Sequence, residues 1–185
     1  MSKKPQSQDE RSKYLSYLLR HKPEAANLTL NKQGWCSLEQ LTSNTDFGFA
    51  EICQIVAADS KSRYSFDDEN PHRATAIRAN QGHSTKHVRI TFDKAVPPTV
   101  LYHGTTDAAF ETIANEGLKP MSRHHVHLTD DLDTAKDVGG RRKRDLVVLR
   151  IDAKQMLADG VEFFRSENGV WLVSAAAAKY ITQEV

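Results

Sequence analysis

The stretch IRANQGHS collects side chains that could bind a ligand. Arg78 supplies a planar fork of N–H donors, and His83 and Ser84 add further polar groups around Gly82. Asn80 and Gly82 suit a turn with positive φ, so a plain polar loop would explain those two residues. It would not explain an arginine, a histidine and a hydroxyl together. We therefore predict a binding site here rather than a simple turn.

A second basic group lies in LLRHKP, where Arg20 and His21 come just before Pro23. Proline cannot continue the backbone hydrogen bonds of a helix, so this pair falls in the last turn of a predicted helix. Two interpretations remain open. Positive side chains at this position stabilise the negative end of the helix dipole. Alternatively, the pair forms a cationic phosphate site, because arginine presents a fork of donors and histidine can supply a proton or a hydrogen bond.

Two further histidines come at the ends of strand-like sequence. His103 lies in YHGTT and His127 lies in VHLT, and each is followed by a threonine within two residues. Gly104 would let the backbone approach a ligand closely, whereas the alternative is a histidine that merely ends a strand. The two motifs together favour a ligand pocket.

The basic run VGGRRKR also has two interpretations. A run of like charges is usually a solvated loop. The functional interpretation is a phosphate clamp near a helix end, with Arg141 or Arg142 turned inward.

Several common site motifs are missing from the sequence. No G-x-G-x-x-G follows a strand, which argues against a dinucleotide site of the Rossmann type. No G-x-x-x-x-G-K-[ST] is present, so the chain is not a P-loop enzyme. HHVH is more typical of a strand edge than of metal ligands, and we expect no metal site.

The first half of the chain reads as three helices and a hairpin. Ser12 is predicted to cap a helix through KYLSYLLRHK, and Ser37 with Gln40 has the spacing of a capping box for a second helix. FAEICQIVAADSK predicts a third helix, and turn-rich DENPH between RYSFD and ATAIRA predicts a hairpin. The predicted apolar faces are Tyr14, Leu15, Leu18 and Leu19 in the first helix and Phe49, Ile52, Ile55 and Val56 in the third. This order is typical of a winged-helix module.

The second half is predicted to be rich in strands. AVPPT is interpreted as a linker, with a boundary between two lobes near residue 96. Strands are predicted in VLYHGT, HVHLT and DLVVLRID and twice in VEFFRSENGVWLVS, and helices in DAAFETIANEG and DLDTAKDVG. The alanine run at 175–178 is either a helix start or a strand end.

Bulk composition narrows the class of protein. A length of 185 residues suits one domain or two small lobes, and a net charge of +1 means that any attraction for phosphate must come from local clusters. Cys36 and Cys53 have neither zinc nor disulfide spacing. The N-terminus lacks the apolar core of a signal peptide, and no apolar run approaches the ~18 residues of a membrane helix. We expect a soluble cytoplasmic monomer whose first ten residues are frayed.

Seven motifs in one order resemble the tRNA 2′-phosphotransferases, a family that consumes NAD. They are LLRHKPE, RYSF, IRANQGHS, LYHGT, HVHLT, VGGR and ENGVWL, and the resemblance runs from about Ser12 to the C-terminus. It implies an α+β fold, with a winged-helix-like RNA-binding lobe at 1–95 and an ADP-ribosyltransferase-like, NAD-binding lobe at 96–185.

The resemblance also implies roles for particular residues. The catalytic set carries over to Arg20, His21, Arg78 and Arg141, although the family's Gly-x-Arg-His-Gly reads Gly-Arg-Arg-Lys-Arg here. The residues implied for NAD binding are Tyr102, His103, Gly104, Thr105, His127 and Thr129. Gly82, His83 and Ser84 are implied to contact RNA or its phosphate. No glutamate stands in the position that transferases acting on protein acceptors use.

The implied reaction has two steps. An internal RNA 2′-phosphate attacks the anomeric carbon of the nicotinamide ribose and expels nicotinamide, and the ribose 2″-hydroxyl then attacks the linked phosphate. The products are RNA with a 2′-hydroxyl, ADP-ribose 1″,2″-cyclic phosphate and nicotinamide. One alternative is an ADP-ribosyltransferase that acts on phosphorylated nucleic-acid ends or protein and stops after the first step. Another is a non-catalytic winged-helix module that binds RNA.

Overall fold

In the computed structural model, helix α1 (Gln8–Arg20) begins at a reciprocal capping box. Ser7 Oγ accepts a hydrogen bond from the Glu10 amide at 3.2 Å, and the Glu10 carboxylate accepts one from the Ser7 amide at 3.0 Å. The prediction that Ser12 caps this helix was therefore wrong, and residues 8–10, which were predicted to be frayed, belong to the helix. The S-x-x-E signature of this cap is present in the sequence, one turn before the first apolar residues.

The structure describes residues 7–139 and 146–184 and divides the chain into two units after Thr91. The sequence predicted this boundary near residue 96, in the linker AVPPT, which is a few residues after Thr91. The division comes earlier because the pair Asp93–Lys94 is already hydrogen-bonded as a strand to Phe164–Arg165 of the second unit. No helix among the described residues is long and apolar enough to span a membrane.

The first unit combines helices with a small antiparallel sheet. Its elements are α1, a 3₁₀ helix (Pro23–Ala26), β1 (Cys36–Ser37), α2 (Leu38–Asn44), α3 (Phe49–Ala57), β2 (Tyr64–Phe66) and β3 (Ala76–Ala79). The sheet has the order β1-β3-β2. The second helix, the third helix and the hairpin are confirmed. Strand β1 was not predicted, because two residues carry no readable alternation.

The cap of α2 forms only half of the predicted capping box. Ser37 Oγ accepts from the Gln40 amide at 3.3 Å. The Gln40 side chain does not return to the cap; its Oε1 accepts from the Thr29 amide at 2.8 Å. It thereby ties α2 to the segment that follows the 3₁₀ helix.

The helices of this unit pack their apolar faces around β3. Leu15, Leu18 and Leu19 of α1 are fully buried, as predicted. Ile77 and Ala79 of β3 point into the same core. Because side chains alternate along a strand, Arg78 between them projects from the opposite face. Burial of Ile77 and Ala79 in the core thus sets the direction in which the Arg78 side chain projects.

The buried Arg11 of α1 binds two partly exposed carboxylates. Its guanidinium donates to Glu51 at 2.5 and 2.7 Å and to the Asp46 carboxylate at 2.7 Å, and it lies over the Phe47 ring at 4.0 Å. The hydrogen bonds that Arg11 donates to Glu51 and Asp46 raise the pKa of Arg11, although burial opposes the shift. The cluster links α1 to α3 and to the turn before α3.

We expect Arg11→Ala to lower the free energy of unfolding by about 2–3 kcal/mol, since it removes a buried cation from two carboxylates and an aromatic ring. Urea denaturation measures this change. Lys13→Ala is the control: Lys13 forms an exposed ion pair with Asp9 on the same helix. Its loss is expected to cost below about 1 kcal/mol, and equal effects of the two substitutions would contradict this account.

The second unit is rich in strands. Its elements are β4 (Asp93–Lys94), β5 (Val100–Thr106), α4 (Asp107–Glu116), β6 (Val126–Leu128), α5 (Leu132–Gly139), β7 (Leu146–Asp152), α6 (Ala153–Ala158), β8 (Phe164–Arg165), β9 (Trp171–Val173), a 3₁₀ helix (Ala178–Tyr180) and β10 (Ile181–Gln183). One antiparallel sheet has the order β10-β7-β5 and another has the order β4-β8-β9-β6. All strands and helices predicted for this half are confirmed, whereas β4, α6 and β10 were not predicted.

The alanine run 175–178 leads into a short 3₁₀ helix, so of the two predicted alternatives the helix start is confirmed. Ala176 forms an isolated antiparallel bridge with Leu118, and the 3₁₀ helix starts at Ala178. The short bridge places the chain for β10, which then pairs with β7.

Helix α5 lies directly against β5 at a glycine contact. A Cβ on Gly104 would stand 1.9 Å from the carbonyl oxygen of Ala135 and 2.7 Å from the amide nitrogen of Gly139. The close approach that Gly104 permits is therefore made by the backbone of α5. Packing between a helix and a strand thus requires a glycine here, and the contact with a ligand predicted for Gly104 stays a prediction.

Candidate functional site

The loop after β3 folds back onto the C-terminus of α1. The Ser84 amide donates to the Arg20 carbonyl at 3.0 Å, and Ser84 Oγ lies 2.9 Å from His21 Nδ1. The two motifs that were singled out separately in the sequence, LLRHKP and IRANQGHS, are thus in direct contact. Their side chains form one polar cluster at the end of a rigid helix.

Gly82 shapes this cluster. Its φ of +88° lies in the region that favours glycine, and Arg20 lies across it. The Cδ, Nε and Cζ atoms of Arg20 are each 3.7 Å from the position that a Gly82 Cβ would take. The Nε and Nη2 atoms of Arg20 are buried. The guanidinium therefore lies against a tight turn that shields its Nε and Nη2 atoms from solvent.

Helix capping and phosphate binding are not exclusive at this position. The His21 residue is the C-cap of α1, and its amide donates to the Tyr17 carbonyl at 2.9 Å. Arg20 occupies the last turn, where its charge is favourable for the dipole. The His21 ring nevertheless contacts Ser84 of a distant segment, which a role limited to capping does not require.

Arg78 lies on β3, just before this loop. Strand β3 is the central strand of its sheet, so neighbours on both sides restrict the arginine. Ser65 of β2 is its registered partner on one side. On the other side the Arg78 guanidinium carbon lies 4.5 Å from the centroid of the Trp35 ring. Sequence reasoning did not single out Trp35.

Asn80 and His83 stabilise the loop from within. The Asn80 amide donates to the Arg63 carbonyl at 2.8 Å, and Asn80 Nδ2 donates to the Ser62 carbonyl at 2.9 Å. Asn80, which was predicted only to suit a turn with positive φ, has no positive φ and instead ties the loop to the turn that precedes β2. His83 is 3% exposed, and its ring packs against Gly34. The His83 ring therefore supports the loop, and the contacts with RNA predicted for Gly82, His83 and Ser84 stay predictions.

In the second unit, the two predicted histidines come together through adjacent strands. The Tyr102 amide donates to the Thr129 carbonyl at 2.7 Å, and the Thr129 amide donates back to Tyr102 at 3.0 Å. This bridge joins β5 to the end of β6. His103 Nδ1 then lies 2.9 Å from the His127 carbonyl oxygen. Because a carbonyl can only accept, Nδ1 carries the hydrogen and Nε2 is the acceptor of a neutral ring.

His103 is held neutral by its surroundings. Burial lowers its pKa below the ordinary 6.5, nearby Arg123 lowers the pKa further, and the hydrogen bond to the His127 carbonyl opposes the shift. The unfolded chain therefore takes up a proton more readily than the folded protein does. This contribution to stability is present above pH 6.5 and is lost as the pH falls through the lower folded-state pKa.

We expect an NMR titration to place the pKa of His103 below 6.5. We also expect His103→Gln to lose less stability than the unsubstituted protein when the pH falls from about 7.5 to about 5. A titration midpoint at or above 6.5, or an equal acid sensitivity of the variant, would contradict a buried neutral histidine.

The remaining residues predicted in this unit have structural contacts of their own. Thr129 Oγ1 accepts from the Asp131 amide at 3.1 Å, and Asp131 caps α5 by accepting from the Asp133 and Thr134 amides. The Thr134 hydroxyl and these amides lower the pKa of Asp131. Thr105 is a half-buried residue of β5. Helix α5 therefore begins directly after Asp131.

Not every predicted residue can be placed. Arg141, with the rest of the basic run RRKR, lies outside the described residues. Among the residues that are described, no three histidine, cysteine, aspartate or glutamate side chains are grouped so that they could hold a metal ion.

Comparison with known proteins defines the class to which this fold and these motifs belong. The model of the RNA 2′-phosphotransferase, Tpt1 / KptA family matches residues 6–175. The chain belongs to this family, and the membership inferred from the motifs is confirmed.

Individual relatives match along nearly their whole length. A probable RNA 2′-phosphotransferase of Rhizobium leguminosarum bv. trifolii is 46% identical over 179 residues, which cover 95% of this chain and 94% of the relative. One from Pseudomonas syringae pv. tomato is 41% identical, covering 99% and 97%. One from Escherichia coli O6:K15:H31 is 39% identical, covering 93% and 94%.

Proposed function

We propose that this chain removes an internal 2′-phosphate from RNA by transferring it to NAD in two steps. The products would be RNA with a 2′-hydroxyl, ADP-ribose 1″,2″-cyclic phosphate and nicotinamide. The observation that carries the proposal is the contact between LLRHKP and IRANQGHS, in which Ser84 bonds to both Arg20 and His21. Family membership supports the same activity.

The chemistry suits a site made of arginines and a histidine. A phosphate is already an anion, so its attack on the sugar needs no general base. What the first step needs is a nucleophile held in one orientation. Arg20 and Arg78 would bind the phosphate oxygens through their donor forks. In the second step charge moves onto phosphoryl oxygens, and the same positioned cations would stabilise it.

His21 would act at the phosphate through the ring nitrogen that does not face Ser84. Its Nδ1 is 2.9 Å from Ser84 Oγ, which fixes the ring plane. A hydroxyl can donate or accept, so this contact is compatible with a neutral ring and with a protonated one. Histidine changes charge near neutral pH and can therefore donate a hydrogen bond or transfer a proton.

The second unit has residues that suit NAD. His103 is neutral, so it would not repel the cationic nicotinamide ring, and its Nε2 can accept a hydrogen bond from a sugar hydroxyl. Tyr102, His127 and Thr129 lie on the same pair of joined strands. NAD would supply the anomeric carbon to which the phosphate is transferred. Gly104 contributes by letting α5 pack onto β5, and Thr105 follows it on that strand.

We also propose finer descriptions of the two units. The first is winged-helix-like and binds RNA, which is supported by its three α-helices and its β2–β3 hairpin. The second is ADP-ribosyltransferase-like, which is supported by its two antiparallel sheets. Arg141 remains the residue that the family resemblance proposes as the fourth catalytic group.

Incubation with NAD and an internally 2′-phosphorylated oligonucleotide tests the function. We expect nicotinamide release to match the RNA 2′-phosphate lost, and mass spectrometry to detect the cyclic phosphate product. The same RNA without the 2′-phosphate is the control and is expected to release no nicotinamide. Accumulation of ADP-ribosylated RNA without cyclic phosphate would instead support a transferase that stops after the first step.

A further inference from the structure

Trp35 stands beside Arg78 because of how two strands pair. In the β1–β3 register Cys36 is opposite Ile77 and Ser37 is opposite Ala76. Continuing this antiparallel register by one residue places Trp35 opposite Arg78, where cross-strand side chains are close neighbours. The guanidinium carbon is 4.5 Å from the centroid of the indole ring. Backbone pairing between β1 and β3 therefore places the indole ring beside the guanidinium.

The loop that carries Trp35 is tightly held. Asn31 Oδ1 accepts from the Gln33 amide at 2.9 Å and from the Trp35 amide at 3.0 Å. The Asn31 amide donates back to the Trp35 carbonyl at 3.0 Å. The Gln33 side chain is fixed in turn, since its Oε1 accepts from the Thr91 amide at 3.1 Å. The backbone of Trp35 is thus fixed on both sides of the residue.

The same loop also contacts the polar cluster in a second place. Gly34 has a φ of +81°, and a Cβ there would stand 3.0 Å from His83 Nε2. His83 is part of the loop that carries Gly82 and Ser84. Residues 31–35 therefore support both Arg78 and the turn around Gly82.

An aromatic ring is well suited to hold an arginine that must bind an anion. The cation–π contact acts on the flat face of the guanidinium, whereas a phosphate bonds to the N–H groups at its edge. A carboxylate partner would compete for those N–H groups and would cancel the positive charge. An indole restricts the orientation of the cation and does neither.

We propose that Trp35 is a positioning residue for Arg78, which holds the guanidinium with its edge toward the RNA 2′-phosphate. This inference rests on the proposed function, because it takes Arg78 to be a phosphate ligand. It assigns Trp35 no direct contact with the RNA. Replacing Trp35 is therefore expected to change RNA binding only by changing the orientation of Arg78.

A double-substitution cycle tests the inference through binding, without NAD. The affinity for a 2′-phosphorylated oligonucleotide is measured by fluorescence anisotropy for Trp35→Leu, Trp35→Phe, Arg78→Ala and the double variant Trp35→Leu with Arg78→Ala. We expect Trp35→Leu to weaken binding about 3- to 30-fold, and Trp35→Phe to stay within about threefold of the unsubstituted protein. In the Arg78→Ala background, Trp35→Leu is expected to add no further loss.

Two controls make the result specific. Tyr17→Leu removes another partly exposed aromatic ring from the same unit, keeps the backbone carbonyl that accepts from the His21 amide, and is expected to bind normally. Thermal melting identifies a variant that fails to fold, and Trp35→Phe keeps the test available if the leucine variant does not fold.

Two results would overturn the inference. One is Trp35→Leu binding as well as the unsubstituted protein. The other is an equal loss of binding in the presence and absence of Arg78, which would mean that Trp35 stacks on RNA directly or only supports the fold. Either result leaves the proposed function standing. If instead the unsubstituted protein removes no 2′-phosphate with NAD, the function fails whatever the cycle shows.

Discussion

Arg78→Ala is expected to lower kcat/KM for removal of an RNA 2′-phosphate by at least about 100- to 1,000-fold, the usual cost of removing one positioned charge donor from a reacting centre. The large effect follows from the way the residue is built into the fold. Its strand is central in the sheet, its neighbours Ile77 and Ala79 are fully buried, and Trp35 lies against its guanidinium.

Arg78→Lys distinguishes charge from geometry. Lysine keeps the charge but loses the planar fork and the flat face that stacks on an indole, so activity is expected to stay well below that of the unsubstituted protein. Arg73→Ala is the matched control: Arg73 is an exposed arginine of the same unit whose side chain pairs with Asp68 at 3.0 Å. We expect it to leave turnover unchanged. Normal turnover by a folded Arg78→Ala variant would show that Arg78 is not a ligand of the phosphate.

Gly104→Ala is expected to destabilise the second unit by at least about 3 kcal/mol, at the upper end of what overpacking costs. The added methyl would meet two backbone atoms of α5, at 1.9 Å from the Ala135 carbonyl oxygen and 2.7 Å from the Gly139 amide nitrogen. Backbone cannot rotate away as a flexible side chain could. Helix α5 must therefore move off β5, and the β5–β6 bridge that holds His103 is expected to loosen with it.

Chemical denaturation followed by near-ultraviolet circular dichroism measures this loss. The control is Gly48→Ala, since Gly48 has an ordinary φ of −84° and a Cβ there would meet nothing within 4 Å. Gly48 is the N-cap of α3, so the control is expected to cost below about 1 kcal/mol. If Gly104→Ala unfolded at the same denaturant concentration as the unsubstituted protein, the contact between α5 and β5 could not be as close as described.

The sequence predicted most elements because their signals are local. Three-residue spacing of apolar positions located the faces of α1 and α3, and a turn-rich stretch between two alternating runs located the β2–β3 hairpin. The error at the start of α1 came from choosing Ser12 when Ser7 and Glu10 form the complete box. The S-x-x-E spacing of Ser7 and Glu10 is visible in the sequence and predicts this cap.

Other features could not be predicted from local patterns. Trp35 lies beside Arg78 because β1 pairs with β3. The paired residues are about 40 positions apart in the chain, and β1 is only two residues long, so no local pattern indicates the pairing. The role of Asn80 depends on the Ser62 and Arg63 carbonyls, which come together with it only in the folded unit. Gly104 indicated that another group approaches the backbone of β5 closely, but the sequence could not indicate that helix α5 is such a group.

The claim that the RNA 2′-phosphate is transferred to NAD is tested most directly by following the phosphate itself. An oligonucleotide carrying one radioactive internal 2′-phosphate is incubated with the protein, with and without NAD, and the labelled products are separated. We predict that the label leaves the RNA only when NAD is present and is recovered in ADP-ribose 1″,2″-cyclic phosphate. Release of labelled inorganic phosphate without NAD, or retention of the label on the RNA in both reactions, would contradict the account.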